Sequence, residues 1–238
     1  MSYKNKFDIN YWLRKIYTTK IFQLLPISNT LIKKKIFTTI YKSKHWVQNS
    51  SLLPKEFISA SGHGSNINTK QHNELTFNFL ELIKNYKINS ILDMPCGDFL
   101  WIKNIIQNNK VDYLGVDIVD ELIDNNKKLY QNENINFEIS DIVDFKTSKK
   151  FDLVLIRDLF IHIKNIDITK ILYNLKLMNI KYVALNSYMN EKNIDVIIGQ
   201  HRKINLLIEP FNLKEPIYKF RDYEDDKFFY LYDLKTLS

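Results

Sequence analysis

Four acids and a histidine stand out by position. Asp93 and Asp98 bracket the turn Asp93-Met-Pro-Cys-Gly-Asp98, Asp117 closes the run Tyr113-Leu-Gly-Val-Asp117, and Asp158 precedes His162 by one helical turn's spacing. An acid ending a second strand, about twenty residues after the glycine of a first βα turn, can accept hydrogen bonds from both hydroxyls of a ribose. Asp117 stands so relative to Gly97, which points to a nucleoside cofactor. Asp158 and His162 could move a proton: the imidazole as general base with the carboxylate orienting it, or both holding a divalent Mg or Mn ion that acidifies a hydroxyl.

The turn discriminates between cofactors. A dinucleotide needs glycines whose backbone approaches a pyrophosphate at a helix N-terminus. This chain has Pro95 and Phe99 where those glycines would serve, and places Asp98 beside the expected helix start. Two carboxylates there repel pyrophosphate and suit a sulfonium with an ammonium group. S-adenosylmethionine therefore fits better than a nicotinamide dinucleotide.

The elements that must position these residues alternate. Strands are expected at 88–94, 113–117, 135–140, 151–157 and 182–187, with helices at 99–106, 119–130 and 167–178, Asp98 capping the first. Such alternation implies a doubly wound parallel sheet. Residues 217–220 and 228–234, separated by the charged turn 221–227, read as a terminal antiparallel hairpin. Upstream, the small-residue loop Ser59-Ala-Ser-Gly-His-Gly-Ser65 leads into a helical stripe of Leu75, Phe77, Phe79, Leu80, Leu82 and Ile83.

With these motifs the chain resembles class I S-adenosylmethionine-dependent methyltransferases. Within them it is similar to a bacterial subgroup with a Leu-Asp-x-Pro-Cys-Gly-Asp turn (Leu92 to Asp98), a Gly-Val-Asp-Ile strand end (Gly115 to Ile118) and an Arg-Asp-x-x-x-His segment (Arg157 to His162). The likeness spans roughly residues 58–236. It implies a Rossmann-like sheet, mostly parallel, with Asp93 and Gly97 bracketing the methionine portion, Asp117 on the ribose, and Asp141 with Ile142 beside the adenine. Gly62, Gly64 and Ser65 resemble an upstream loop that closes over the cofactor's carboxyl end. Pro95, Asp98, Trp101, Ile118 and Arg157 complete the expected cofactor set. Pro95 departs from the glycine-rich turn of the wider class.

Beyond the fourth and fifth strands, Asn186, Tyr188, His201, Arg202 and Asn205 are expected to shape an acceptor pocket. Arg202 is read either as a fork for an acceptor phosphate or carboxylate or as an ordinary surface arginine. The resemblance and this polar edge suggest O-methylation of a sugar hydroxyl, on a nucleotide-linked sugar or a surface or capsular glycan precursor. Alternatives are another small-molecule acceptor and a nicotinamide-dependent reductase. A third class is a membrane- or RNA-associated binding module.

Charge divides the 238-residue chain. Residues 1–50 hold ten Lys/Arg and one acid, a net +9, and the remainder nets −2, although the whole chain is +7. A domain of that sign offers no phosphate track, so no nucleic-acid partner is expected. Residues 1–55 read as a basic segment of two amphipathic helices broken at Pro26, with residues 56–238 as the methyltransferase domain. The segment is read as a lid or homodimer contact, a peripheral membrane contact, or a polyanion contact. The single cysteine, Cys96, reads as a packing thiol and, with no apolar run of about eighteen residues or signal core, suggests a cytoplasmic protein.

Overall fold

A computed structural model describes residues 9–19, 29–47 and 53–237. Its centre is a seven-stranded sheet in the order β3-β2-β1-β4-β5-β7-β6. The strands are β1 (Ser90–Asp93), β2 (Asp112–Asp117), β3 (Ile135–Ile139), β4 (Phe151–Ile156), β5 (Ile180–Tyr188), β6 (Tyr218–Arg221) and β7 (Lys227–Asp233). β1 to β5 pair in parallel, whereas β7 runs antiparallel to both β5 and β6. The Rossmann-like sheet and terminal hairpin are thus those expected. Order reverses between β1 and β4, and in open parallel sheets a ligand crevice opens at that point, beyond the strands' carboxyl ends.

Helices cover both faces: α1 (Ile9–Tyr17), α2 (Asn29–Lys42), α3 (Lys70–Tyr86), α4 (Lys103–Asn109), α5 (Asp120–Tyr130) and α6 (Asn165–Leu177). Burial on both faces explains why β4 reads as the near-continuous apolar run Phe-Asp-Leu-Val-Leu-Ile. In α3 the Thr69 hydroxyl accepts from the His72 amide at 3.0 Å, and Leu75, Phe79, Leu82 and Ile83 turn inward. Phe77, expected on that stripe, is 64% exposed.

Two local expectations fail for physical reasons. The helix placed at Phe99 begins at Lys103, because Phe99 takes a left-handed φ of 62° and buries its ring against Tyr113, Tyr130 and Phe137. Asp98 consequently caps no helix. No helical turn joins Asp158 to His162 either; a tight turn does, with Asp158 at φ 58°.

The basic segment does fold as two helices where it is described. Ile21, Leu24 and Pro26 lie outside the described residues. α2 buries Ile32, Ile36 and Ile40 in the same core as the sheet. Gly199 makes room for it: a Cβ there would stand 2.6 Å from Ile36 and 2.9 Å from Ile40. α1 buries no residue, leaving Ile9, Trp12 and Ile16 exposed along one side. Among the described residues no helix is long and apolar enough to cross a membrane.

Candidate active site

A cavity of about 110 Å³ lies at the switch between β1 and β4. Its floor is the first turn, Pro95 to Gly97, and its walls are the ends of β2 and β3 and the segment after β4. α2 and the stretch following it form its roof through Lys33, Phe37, Tyr41 and Trp46.

The turn is fastened from three sides. Asp117 Oδ2 accepts from the Gly97 amide at 3.3 Å while Oδ1 accepts from the Val119 amide at 3.1 Å. Asn126 of α5 donates to the Gly97 carbonyl at 2.7 Å. Gly97 has φ 54°, and a Cβ there would fall 2.3 Å from the Ser61 hydroxyl, so only glycine lets the upstream loop come this close. Asp117 lines the cavity. Burial pushes its carboxyl up to about 6, partly offset by the backbone amides.

Asp93 and Asp98 stand behind the cavity wall. Asp93 is buried under the turn, accepts from the Tyr113 hydroxyl at 2.7 Å, and is pushed up to about 7 by burial. The Asp98 carboxylate turns away to gather the Ser59–Ser61 loop: it accepts from the Ser59 hydroxyl at 2.9 Å, the Ala60 amide at 2.6 Å and the Ser61 hydroxyl at 3.3 Å. It is a loop anchor, with its lone pairs committed before any ammonium arrives. Its expected role as a direct cofactor ligand is replaced by this one.

Ile118, Asp141 and Ile142 wall the β2–β3 side. Asp141 is not free: the buried Lys33 ammonium of α2 lies 2.6 Å from it. Trp101 lines the opposite side, and the Arg157 guanidinium lies 4.7 Å over its ring centre. Arg157 also fixes the upstream loop, donating to the Gly64 carbonyl at 2.8 Å and the Ser65 hydroxyl at 3.1 Å. Of that loop Ala60, Ser61 and Ser65 line the cavity, and Gly62 and Gly64 do not.

A buried ionic network supports the β4–β5 edge. Asp222 takes Arg157 in a two-pronged contact, 2.8 and 3.3 Å, and also meets Lys227 at 3.2 Å. Lys227 reaches Asp158 at 2.6 Å, and Asn186 donates to the same carboxylate oxygen at 2.6 Å. Burial alone would raise the Asp158 carboxyl, but Lys227 and Arg157 hold it well below the usual range. With Lys227 seated on it, Asp158 already has its cation. Among the described residues no group of three His, Cys, Asp or Glu could hold a metal, so the expected Asp158–His162 metal pair has no ligand set.

His162 is oriented by other means than Asp158. Its Nδ1 lies 3.0 Å from the Gln200 carbonyl. A carbonyl only accepts, so Nδ1 carries the proton and Nε2 keeps its lone pair. The ring stacks on Trp46, centroids 4.8 Å apart, and burial pushes its pKa down to about 4. It lines the cavity as a neutral base.

The expected acceptor residues are mostly committed elsewhere. Arg202 donates to the Phe160 carbonyl at 2.5 Å and to Asn165 at 2.6 Å, bracing its loop rather than awaiting an anion. Asn205 bonds the Asn190 carbonyl and the Leu207 amide, and Tyr188 donates to Glu224 at 2.9 Å. Asn186 serves Asp158. His201 is exposed, its ring 5.9 Å from that of His162.

Sequence reading missed Lys33, Trp46, Asp222 and Lys227. The last two were read as part of a charged hairpin turn, and nothing local marks a charge that folding will bury. Lys33 had a signal: with Phe37 and Tyr41 it repeats every four residues along one face of α2.

Residues 91–178 match a family described as a methyltransferase domain.

Solved structures agree on the fold. The chain is similar to the N-methyltransferase NodS from Bradyrhizobium japonicum WM9, at 13% identity and TM-score 0.54, covering 70% of this chain and 97% of that one. A S-adenosylmethionine-dependent methyltransferase from Clostridium acetobutylicum ATCC 824 aligns at 15% identity and TM-score 0.51, over 67% and 90% of the two chains. The PH0226 protein from Pyrococcus horikoshii OT3 aligns at 13% identity and TM-score 0.52, over 71% and 93%. No curated protein matches the sequence. The likeness to these structures is one of fold.

Proposed function

We propose that the protein transfers a methyl group from S-adenosylmethionine to a hydroxyl, with a sugar as the acceptor. The observation that carries the hydroxyl is His162: its protonated Nδ1 is tied to the Gln200 carbonyl, its ring rests on Trp46, and its free Nε2 belongs to a cavity residue held neutral. A hydroxyl must lose its proton as it attacks, whereas a neutral amine already has a lone pair. The sugar class rests on the resemblance of the turn and strand-end motifs, and a cytoplasmic setting on the composition.

The cavity residues fit this cofactor. The carboxylate of Asp117 is placed for ribose hydroxyls, Ile118, Val119, Leu122, Ile142 and Val143 offer an apolar slot for a base, and Pro95 to Gly97 floor the other arm. The cations on the wall, Lys33 and Arg157, are neutralised by Asp141 and Asp222. With both pairs closed, no free cation among the described residues faces a pyrophosphate, which disfavours the nicotinamide reading. When bound, S-adenosylmethionine supplies an electrophilic methyl on a positively charged sulfur. His162 would take the acceptor's proton at Nε2, Trp46 and the Gln200 carbonyl would hold its ring, and the Asp158–Lys227–Asp222–Arg157 network would keep the β4 edge and the Gly64–Ser65 loop in place. Alignment of acceptor and methyl is the larger part of such catalysis.

Methyl transfer from labelled S-adenosylmethionine to a panel of sugar nucleotides, free sugars and amino sugars tests the proposal. Labelled product with hydroxyl acceptors, lost in His162→Ala, is expected. Transfer only to amines, undiminished in His162→Ala, would overturn the hydroxyl reading in favour of an N-methyltransferase, the activity named for NodS.

A further inference from the structure

The roof of the cavity is part of the chain's own N-terminal segment, and it fills the end of the crevice where a nucleoside base would go. Given Asp117 on the ribose and the 95–97 turn on the other arm, the base lies on the β3 side, where the polar group offered to it is the Asp141 carboxylate. That group is taken. Lys33 is 3% exposed, its ammonium is 2.6 Å from Asp141, and Phe37 and Tyr41, one and two turns further along α2, line the same cavity. The space left is about 110 Å³, below the ~300–1,000 Å³ usual for small-molecule sites.

Resting on the methyltransferase reading, we infer that α2 is an internal plug: Lys33 competes with the cofactor's base for Asp141, and binding requires the ion pair to break and α2 to move outward. The device is balanced by its own parts. Ile32, Ile36 and Ile40, on the neighbouring face, pack into the core and against Gly199 and hold the helix down. Lys33 is an awkward residue to bury, since a charge taken from water is tolerated only while its partner stays in place. Cofactor that claims Asp141 strands Lys33 and so drives the helix off its seat. Affinity for the cofactor is then reduced by the fraction of molecules whose plug is open.

Titration of the full chain with S-adenosylhomocysteine, combined with hydrogen exchange over residues 29–42, tests this. Lys33→Met should bind more tightly than wild type, by up to about tenfold if roughly a tenth of wild-type molecules are open. Amides of α2 should exchange faster in Lys33→Met without any ligand, and faster in wild type once S-adenosylhomocysteine is added. Phe37→Ala, which thins the plug while leaving the ion pair intact, should tighten binding in the same direction and guards against a folding defect in the first variant. Equal affinities, with α2 gaining protection on binding, would overturn the plug while leaving the cofactor assignment standing. Unchanged ligand-free exchange in Lys33→Met would overturn it also. Failure of wild type and both variants to bind would overturn the methyltransferase reading, and the plug with it.

Discussion

The β1–β3 side of the cavity and its β4–β7 side hold their functional groups by different means. On the first, Asp117 reaches back 20 residues to the Gly97 amide and forward two to that of Val119, so backbone and carboxylate fix each other within one βαβ unit. On the second, Arg157 depends on Asp222, 65 residues away, and Asp158 on Lys227 of the terminal hairpin. The first arrangement is modular and tolerates change elsewhere. The second ties the β4 edge to the last strands, so a fault in the hairpin is felt at the cavity.

The largest effect is expected where that difference is attacked directly. Asp222→Ala removes the carboxylate shared by Arg157 and Lys227 and strips the buried Arg157 of its direct ion pair, while Lys227 keeps Asp158; breaking such a buried pair costs about 3–5 kcal/mol, visible as an earlier urea midpoint. A loss under about 1 kcal/mol would mean that the network does not support the β4 edge. His162→Ala is predicted to slow transfer on the order of a hundredfold while leaving S-adenosylhomocysteine affinity unchanged, separating proton removal from cofactor binding. Asp117→Ala should do the reverse, weakening S-adenosylhomocysteine by about 1–3 kcal/mol in calorimetry.

pH sharpens the same contrast. Asp117 is raised above its ordinary 3.8 to about 6, so the carboxylate that ribose hydroxyls need is lost as pH falls through 6, and affinity should weaken there. His162 shifts the other way, from 6.5 down to about 4. A lowered histidine binds more protons when unfolded, so its contribution to stability is full above 6.5 and declines as pH falls toward 4. His162→Gln should lack that decline in thermal unfolding measured across the range. The smallest effect is expected at the loop anchor: Ser59→Ala deletes one donor to Asp98, with three others remaining, and should cost about 1 kcal/mol.

The same division governs what could be read from the chain. The run of strands was legible because each apolar run marks its own strand, and the Asp117–Gly97 contact because the two residues lie at the ends of consecutive strands of one βαβ unit. The helix start at Asp98 was misread because the Ser59–Ser61 loop, far upstream, claims that carboxylate and Phe99 turns left-handed into the core. The pairing of Asp158 with His162 was read from spacing alone, whereas Lys227 and the Gln200 carbonyl, brought in by other elements, decide their partners. Arg202, read either as a fork for an acceptor anion or as an ordinary surface arginine, gives its two Nη groups to the Phe160 carbonyl and Asn165. Burial of Lys33 on the inner face of α2 required knowing where the helix docks.

Calorimetric titration of the full chain with S-adenosylhomocysteine, run beside NADH and NADPH, tests the cofactor assignment most directly. Saturable binding of S-adenosylhomocysteine with no heat from either nicotinamide is the predicted result. Binding of a nicotinamide alone, or of none of the three, would contradict it.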